Sequence, residues 1–304
     1  MAEWIHADQD LMSRALELAS ERLGIPAHLI EKDYMVTVLL GQIATVRPDI
    51  IFKGGTSLSK CHKILSRFSE DIDLAVAVLP GRSDMRQIKK DIVSCIDACG
   101  FHLVNPEAVK SNQKLNGYRV SYPSALSVET DEIPKNIKIE TSYFHPSFPY
   151  EVLAVDSYLG CFVKEEAPEL MDRYDGLHSF EMRVQTLERT FIDKVFAICD
   201  YYMEGKTYRQ SRHLYDIYKI LARIDIDESF PSLIHDIRLL RAEDPKRCPS
   251  AMPGVVIGEK LDEIIAGDVY LEDWNTFSKV LQFDLTTYEE AIASLSKVKE
   301  MNIF

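Results

Sequence analysis

Asp71 and Asp73 stand one residue apart at the mouth of the apolar run "DIDLAVAVL", and they are the side chains that first invite a chemical reading. On a strand the two share one face while Ile72 and Leu74 take the other, which leaves the acidic Cβ atoms roughly 6–7 Å apart. That spacing suits two carboxylates gripping one or two divalent cations, an arrangement that clamps the attacking and leaving oxygens of a phosphoryl transfer. Oxygen ligands with no histidine or cysteine cluster beside them favour Mg2+ or Mn2+ over zinc. Without a cation the pair is costly, because like charges at short range repel. A lone D-x-D is most often a solvated strand end, so the pair needs a complement.

The complement lies upstream in "IIFKGGTSLSK", residues 50–60. Gly54 and Gly55 let the backbone turn sharply and approach a ligand with no Cβ in the way. A helix beginning near Thr56 or Ser57 aims free N–H groups and a positive dipole end at an anion. The hydroxyls of Thr56 and Ser57 add donors, and Lys53, Lys60 and Lys63 add positive charge. Strand, glycine turn, helix and acidic strand thus join a phosphate cradle to a metal pair.

These groups need a frame. Helical spacing of apolar residues marks 8–23, and a second helix begins behind Pro26 in "PAHLIEKDYMVTVLLGQIA". "IIF" is a short strand stopped by the glycines, residues 57–68 read as one helix, and "DIDLAVAVL" is a buried strand closed by Pro80 and Gly81. Residues 83–100 form a helix with Ser83 as its N-cap candidate and Gly100 as its stop. "FHLVN", "YRVSYP", "NIKIETSYF" and "EVLAV" follow as strands, and the strand-rich part ends near residue 180. Beyond it the pattern is helical, from about Gln185 to Gly205, through "RQSRHLYDIYKILARI", and again in "GEKLDEIIAG" and "TYEEAIASLSKVKEM". An α/β part over 1–180 with N-terminal helices, then an all-helical part over 181–304, is the expected organisation.

At 304 residues and a formal charge of −13, the sequence does not advertise bulk attraction to a nucleic-acid backbone, and a polyanion needs a local basic patch. Arg183, Arg189, Arg209 and Arg212 are the arginines for such a patch. The six cysteines form no C-x-x-C pair, no N-terminal stretch reads as a signal, and no apolar run is long enough to span a bilayer. The expectation is a soluble cytoplasmic protein. His62, Cys61, Cys199, Tyr201 and Tyr202 read as helix-surface or packing residues, although the tyrosines also suit base stacking.

The combined motif resembles the signature of the nucleotidyltransferase superfamily, a G-[GS] turn followed by D-x-D. Within it the chain resembles the AbiEii/AbiGii family, toxins of bacterial two-gene toxin–antitoxin and phage-abortive systems. The residues that carry this are "FKGGTSLSK", "RFSEDIDLAV", "TFIDKVFAICDYY", "SRHLYDIYKI" and, ahead of them, "IEKDYMVTVLL". The resemblance implies an α+β fold, with a nucleotidyltransferase-type mixed sheet flanked by helices and a helical C-terminal domain that completes the nucleotide site. It implies a third carboxylate from a neighbouring strand as metal ligand or general base. Glu140 in "NIKIETSYF" is the candidate, with Asp131 and Glu132 in a loop as alternatives.

The same resemblance makes Lys194 a residue that reaches the nucleotide phosphates and Asp216 the acid that orients it or the nucleotide, with Arg212 four residues earlier on the same helical face. One departure stands out: many relatives carry an acid three residues before the aspartate, where this chain has His213. The implied substrate is a nucleoside triphosphate with Mg2+ or Mn2+, and the implied acceptor is the 3′ end of tRNA, whose modification stops translation and growth. An antitoxin encoded alongside, acting as a transcriptional repressor rather than a bound lid, is the implied partner. Transfer to a protein or small molecule, and NTP binding without transfer, stay open as alternatives.

Overall fold

The structure, a computed structural model, describes residues 3–67, 69, 71–126, 136–281 and 284–304, with backbone alone at 277–281. The chain folds as two compact units, one built from Met1–Cys61 and Glu70–Val184, the other from His62–Ser69 and Gln185–Phe304.

The first unit opens with helix α1 (Gln9–Leu23), whose inward stripe is Met12, Ala15, Leu16 and Ala19. Asp8 caps it by accepting from Leu11 N at 3.0 Å, and Gly24 closes it in the left-handed region. Helix α2 (Ala27–Val46) is apolar almost all round and is buried along most of its length, from Leu29 to Ile43. Strand β1 (Ile50–Lys53), helix α3 (Gly54–Lys60) and strand β2 (Ile72–Val76) follow. Helix α4 (Arg82–Ala98), strands β3 (His102–Leu103), β4 (Leu115–Ser121), β5 (Asn136–Ser142) and β6 (Tyr150–Val155), helix α5 (Tyr158–Glu166) and strand β7 (Phe180–Gln185) complete it. Among the described residues they make a seven-stranded sheet in the order β3-β4-β5-β2-β1-β7-β6. The sheet is mixed: β1 runs antiparallel to β2 and parallel to β7, β2 runs parallel to β5, and β4 pairs antiparallel with β3 and β5. Central strands of such a sheet are covered on both faces and read as apolar runs, which is why Ile50, Ile51, Phe52, Leu74 and Ala75 are all buried.

The second unit is helical: α6 (Leu187–Met203), α7 (Arg212–Leu221), α8 (Phe230–Ala242), α9 (Ile257–Ala266), α10 (Leu271–Leu281) and α11 (Tyr288–Glu300). Its core is built from residues such as Phe191, Phe196, Ile198, Leu214, Ile217, Leu261 and Leu295.

Three expectations give way. The helix expected over 57–68 starts earlier, at Gly54, and stops at Lys60; Lys63 takes a positive φ of 55°, which a helix cannot continue through. Residues 62–69 are drawn out to join the helical unit instead. There Ser66 N donates to the Tyr215 hydroxyl at 3.0 Å, and Arg67 pairs with Asp216. The N-cap of α4 is Gly81 rather than Ser83, because Asp84 one turn on accepts from Gly81 N at 3.2 Å. The strand-rich part runs past residue 180, since β7 pairs with β1 at Arg183 and Val184. Among the described residues no helix is long and apolar enough to cross a membrane, and none of the six cysteines is in a disulfide.

Candidate active site

Strand register assembles the acidic face of the first unit. Asp73 on β2 is opposite Lys53 on β1 and beside Glu140 on β5, and Glu140 is in turn opposite Gly117 on β4. Residues in register share a face, so Lys53, Asp73 and Glu140 form one transverse row, ended by a glycine with open space where a Cβ would stand. Asp71, just ahead of β2, and Lys138, two residues before Glu140, extend the same face. Lys138 Nζ lies 3.4 Å from Glu140 Oε2. Burial works against the Lys138 ammonium, but Asp71, Glu140 and Asp73 outweigh it and raise its pKa.

Gly54 turns with φ of +82°, and a Cβ placed there would fall on the Asp73 carboxylate. The glycine turn and the acidic strand are therefore in direct contact, and only glycine satisfies both the dihedral and the space. Desolvation pushes the Asp73 carboxyl up to about 6; Lys53 opposes the rise, Glu140 and Asp71 add to it, and Lys138 opposes it weakly. A carboxylate raised chiefly by burial, with two further acids beside it, is a donor set that fits a hard cation. Among the described residues no group of three His, Cys, Asp or Glu side chains gathers tightly enough to hold a metal ion. Mg2+ takes one or two carboxylates and completes its shell with water and phosphate, so a cation at Asp71 and Asp73 would need no third protein ligand.

Thr56 and Ser57 are fully buried, and the Ser57 hydroxyl donates to Gly54 O at 2.9 Å. Lys60, expected beside the phosphates, is buried with its ammonium 2.5 Å from Asp33 Oδ1 and 2.6 Å from the Thr37 hydroxyl. It lies on the inner side of α3, where an unpaired charge is untenable and α2 supplies the counter-charge. Asp33 Oδ2 also accepts from Tyr158 N, so one carboxylate ties α3 and the start of α5 to α2. Asp33 was not singled out from sequence, although "IEKDYMVTVLL" contained it. Asp131 and Glu132 lie outside the described residues.

In the second unit, Lys194 on α6 and Asp216 on α7 come together, with Nζ 2.6 Å from Oδ2. Arg67, a residue sequence reasoning passed over, grips the same carboxylate: Nε donates to Oδ1 and Nη2 to Oδ2, both at 2.8 Å. Burial alone would raise the Asp216 carboxyl, but Arg67 and Lys194 overcome it and hold the group well below the usual carboxylate range. Arg212 is exposed at the start of α7, near enough to help lower the Lys194 pKa behind the larger effect of burial. Arg189 is buried and paired with Asp193 at 3.0 Å, so it takes no part in a surface patch, whereas Arg209 is exposed. Arg183 stacks over Tyr150, 5.0 Å from the ring centroid.

His213 stacks on Tyr201 with centroids 5.6 Å apart, and its Nε2 is 3.1 Å from Gln210 Oε1. Burial, then Lys194 and Arg212, hold it well below its ordinary pKa, with Asp216 pulling weakly the other way. The folded protein therefore keeps His213 neutral while the unfolded chain protonates near pH 6.5. Below that pH the unfolded state binds more protons, so stability falls on acidification. His213→Gln is expected to remove this histidine-linked loss at pH 5.5, on the order of 1 kcal/mol. Urea unfolding of both proteins at pH 5.5 and 7.5 checks it; equal pH dependence would refute it.

A mixed sheet thus sets a positive-φ glycine turn against a D-x-D strand, with Glu140 in register beside Asp73. Residues 38–294 match the family model of the nucleotidyl transferase AbiEii toxin of type IV toxin–antitoxin systems, and the chain belongs to that family. It is thus a nucleotidyltransferase toxin by family, for which a nucleoside triphosphate is the substrate class and an antitoxin the partner. Among solved structures it is similar in fold to MenT4, a nucleotidyltransferase toxin from Mycobacterium tuberculosis H37Rv, at 18% identity and a TM-score of 0.50. The likeness covers 97% of this chain and 96% of that one. No curated protein matches it.

Proposed function

We propose that the protein transfers a nucleotidyl group from a nucleoside triphosphate to an acceptor hydroxyl, the 3′ end of tRNA, and so arrests translation. The observation that supports this best is the transverse row of Lys53, Asp73 and Glu140 with Gly54 packed against Asp73. Asp71 and Asp73 would hold Mg2+ or Mn2+, with Glu140 as the third acid; when bound, the cation would neutralise charge on the phosphoryl oxygens. Gly54 and Gly55 offer backbone N–H groups to the phosphates, and Lys53 offers charge from the same face. Glu140 is the group to take the proton of the attacking hydroxyl. In the helical unit, Lys194, supported by Asp216 and Arg212, is the phosphate ligand. Phosphoryl transfer asks for positioning and charge neutralisation more than covalent help, which suits this residue set.

The test is label transfer by the purified protein with Mg2+, total tRNA and each α-32P-labelled NTP in turn, beside an Asp71→Ala/Asp73→Ala variant. Label on tRNA from wild type alone supports the reading and identifies the base. Label on a protein or small molecule of added cell extract would replace the acceptor. NTP binding with no transfer to anything would overturn the enzymatic reading.

A further inference from the structure

The sheet face that carries the acid row continues past it on β4 and β5. Burial alternates along both strands: Asn116, Tyr118 and Val120 are enclosed, as are Ile137, Ile139 and Thr141. Tyr118, Val120 and the two isoleucines share a core with Ile88 and Ile92, so this is the face that α4 covers. Leu115, Gly117, Arg119, Lys138 and Glu140 take the other face and are exposed or half-buried. Antiparallel strands tolerate one wet face, and this one displays two features that the fold itself does not account for.

The first is a glycine. Gly117 lies in the interior of β4, where glycine weakens a strand and marks a bulge or a close approach. There is no bulge, because β4 and β5 keep one register from Leu115 and Ser142 to Ser121 and Asn136. Its φ is not positive, and nothing stands within 4 Å of where a Cβ would be. Asn105 Nδ2 donates to Gly117 O at 3.0 Å and Asn105 Oδ1 accepts from Arg119 N at 2.8 Å, which holds the strand straight through the glycine. Close approach of a ligand is the reason that remains, and it falls directly opposite Glu140. The second feature is a pair of cations. Two residues along, Arg119 is directly opposite Lys138, a placement that destabilises a sheet when the charges are alike. Lys138 is answered by Glu140, whereas the exposed Arg119 guanidinium has no partner among the described residues.

We infer that the open face of β4 and β5 is the acceptor platform: Arg119 and Lys138 bind a backbone phosphate of a single-stranded polynucleotide end, and Gly117 leaves room for its terminal sugar beside Glu140. This rests on the nucleotidyl-transfer reading for the reaction and goes beyond it in assigning residues to the acceptor. The cations stand two residues, about 7 Å, along the strands from Gly117 and Glu140. A polynucleotide crossing the face there has a phosphate at the cations and its last hydroxyl at the acid. In a chain of net charge −13, two cations set side by side are the local patch that a polyanion requires. Contact through phosphate reads no sequence, so the platform positions the end and leaves the bases unread.

The test is binding of 5′-labelled total tRNA by the full-length protein, read by fluorescence anisotropy without NTP or divalent metal across a range of KCl concentrations. Arg119→Ala is expected to weaken binding at least threefold. It should also reduce the slope of log affinity against log salt by about 0.7, the share of one single-strand phosphate contact. Arg86→Ala removes an exposed cation from α4, on the covered side of the sheet, and should bind as wild type. Equal weakening by both variants, or none by Arg119→Ala, would overturn the proposal. Gly117→Val fills the open space with a residue that suits a strand. It is expected to cut label transfer to tRNA at least tenfold with KM for the NTP unchanged, and transfer at the wild-type rate would remove the glycine from the platform. Label arriving on a protein instead of RNA would overturn the polynucleotide assignment. Binding indifferent to Arg119 alongside intact transfer to tRNA would sink the platform and spare the enzymatic reading. Arg119-dependent tRNA binding with no transfer from any NTP would do the reverse.

Discussion

Gly54→Ala is expected to lower nucleotidyl transfer by about 10²-fold or more, the scale of loss that accompanies a displacement of about 1 Å among reacting groups. The glycine holds φ at +82°, which costs an L-residue about 1–2 kcal/mol. The larger effect is spatial, because the new Cβ would collide with the Asp73 carboxylate and drive it from the row it shares with Lys53 and Glu140. Gly24→Ala separates the two causes. Its φ is +68°, but nothing stands within 4 Å of the added Cβ. That variant should lose stability on the same scale of about 1–2 kcal/mol and keep its activity. Urea unfolding and label transfer on both variants give the answer, and a Gly54→Ala protein within threefold of wild-type transfer would refute the account.

Asp216→Ala is the second large effect, and it acts on stability. It strands Arg67 and Lys194 as buried cations without their shared anion, a loss of about 3–5 kcal/mol. The pH dependence gives a sharper signature. Because the folded carboxyl is depressed, its stabilisation is complete above the unfolded carboxylate pKa of about 3.9 and is lost as pH falls toward the lower folded value. Wild type should therefore lose stability below about pH 4, and the variant, already less stable, should show a shallower acid limb. Equal slopes for the two proteins below about pH 4 would count against the assignment of that titration to Asp216.

What the sequence disclosed and what it hid follow from range. The glycine turn, the D-x-D strand and the face of Glu140 are local: a two-residue period decides which side of "NIKIETSYF" an acid takes, and parallel pairing then sets it beside Asp73. The course of residues 61–67 is not local. Leu58, Cys61 and Leu65 recur at helical spacing, yet a buried fork to a carboxylate 149 residues away overrides that preference. Lys60 followed the same logic on a smaller scale. Its type and place suggested a phosphate ligand, and only its partner Asp33 on α2 reveals a structural tie. Charge near a glycine turn is ambiguous until the opposing surface is known.

Residues 62–69 leave the sheet-bearing unit, take part in the helical one and return before Asp71. Neither unit is therefore a continuous length of chain, and the helices cannot be inherited as a cassette. A gene fragment beginning at Gln185 would encode Asp216 and Lys194 but not Arg67, and so a buried acid with one of its two cations missing. Recombination can vary loops within either unit, but an exchange of the helical unit between relatives must carry this eight-residue insert with it. The arginine that completes the cluster travels with the acidic strand rather than with the helices it serves.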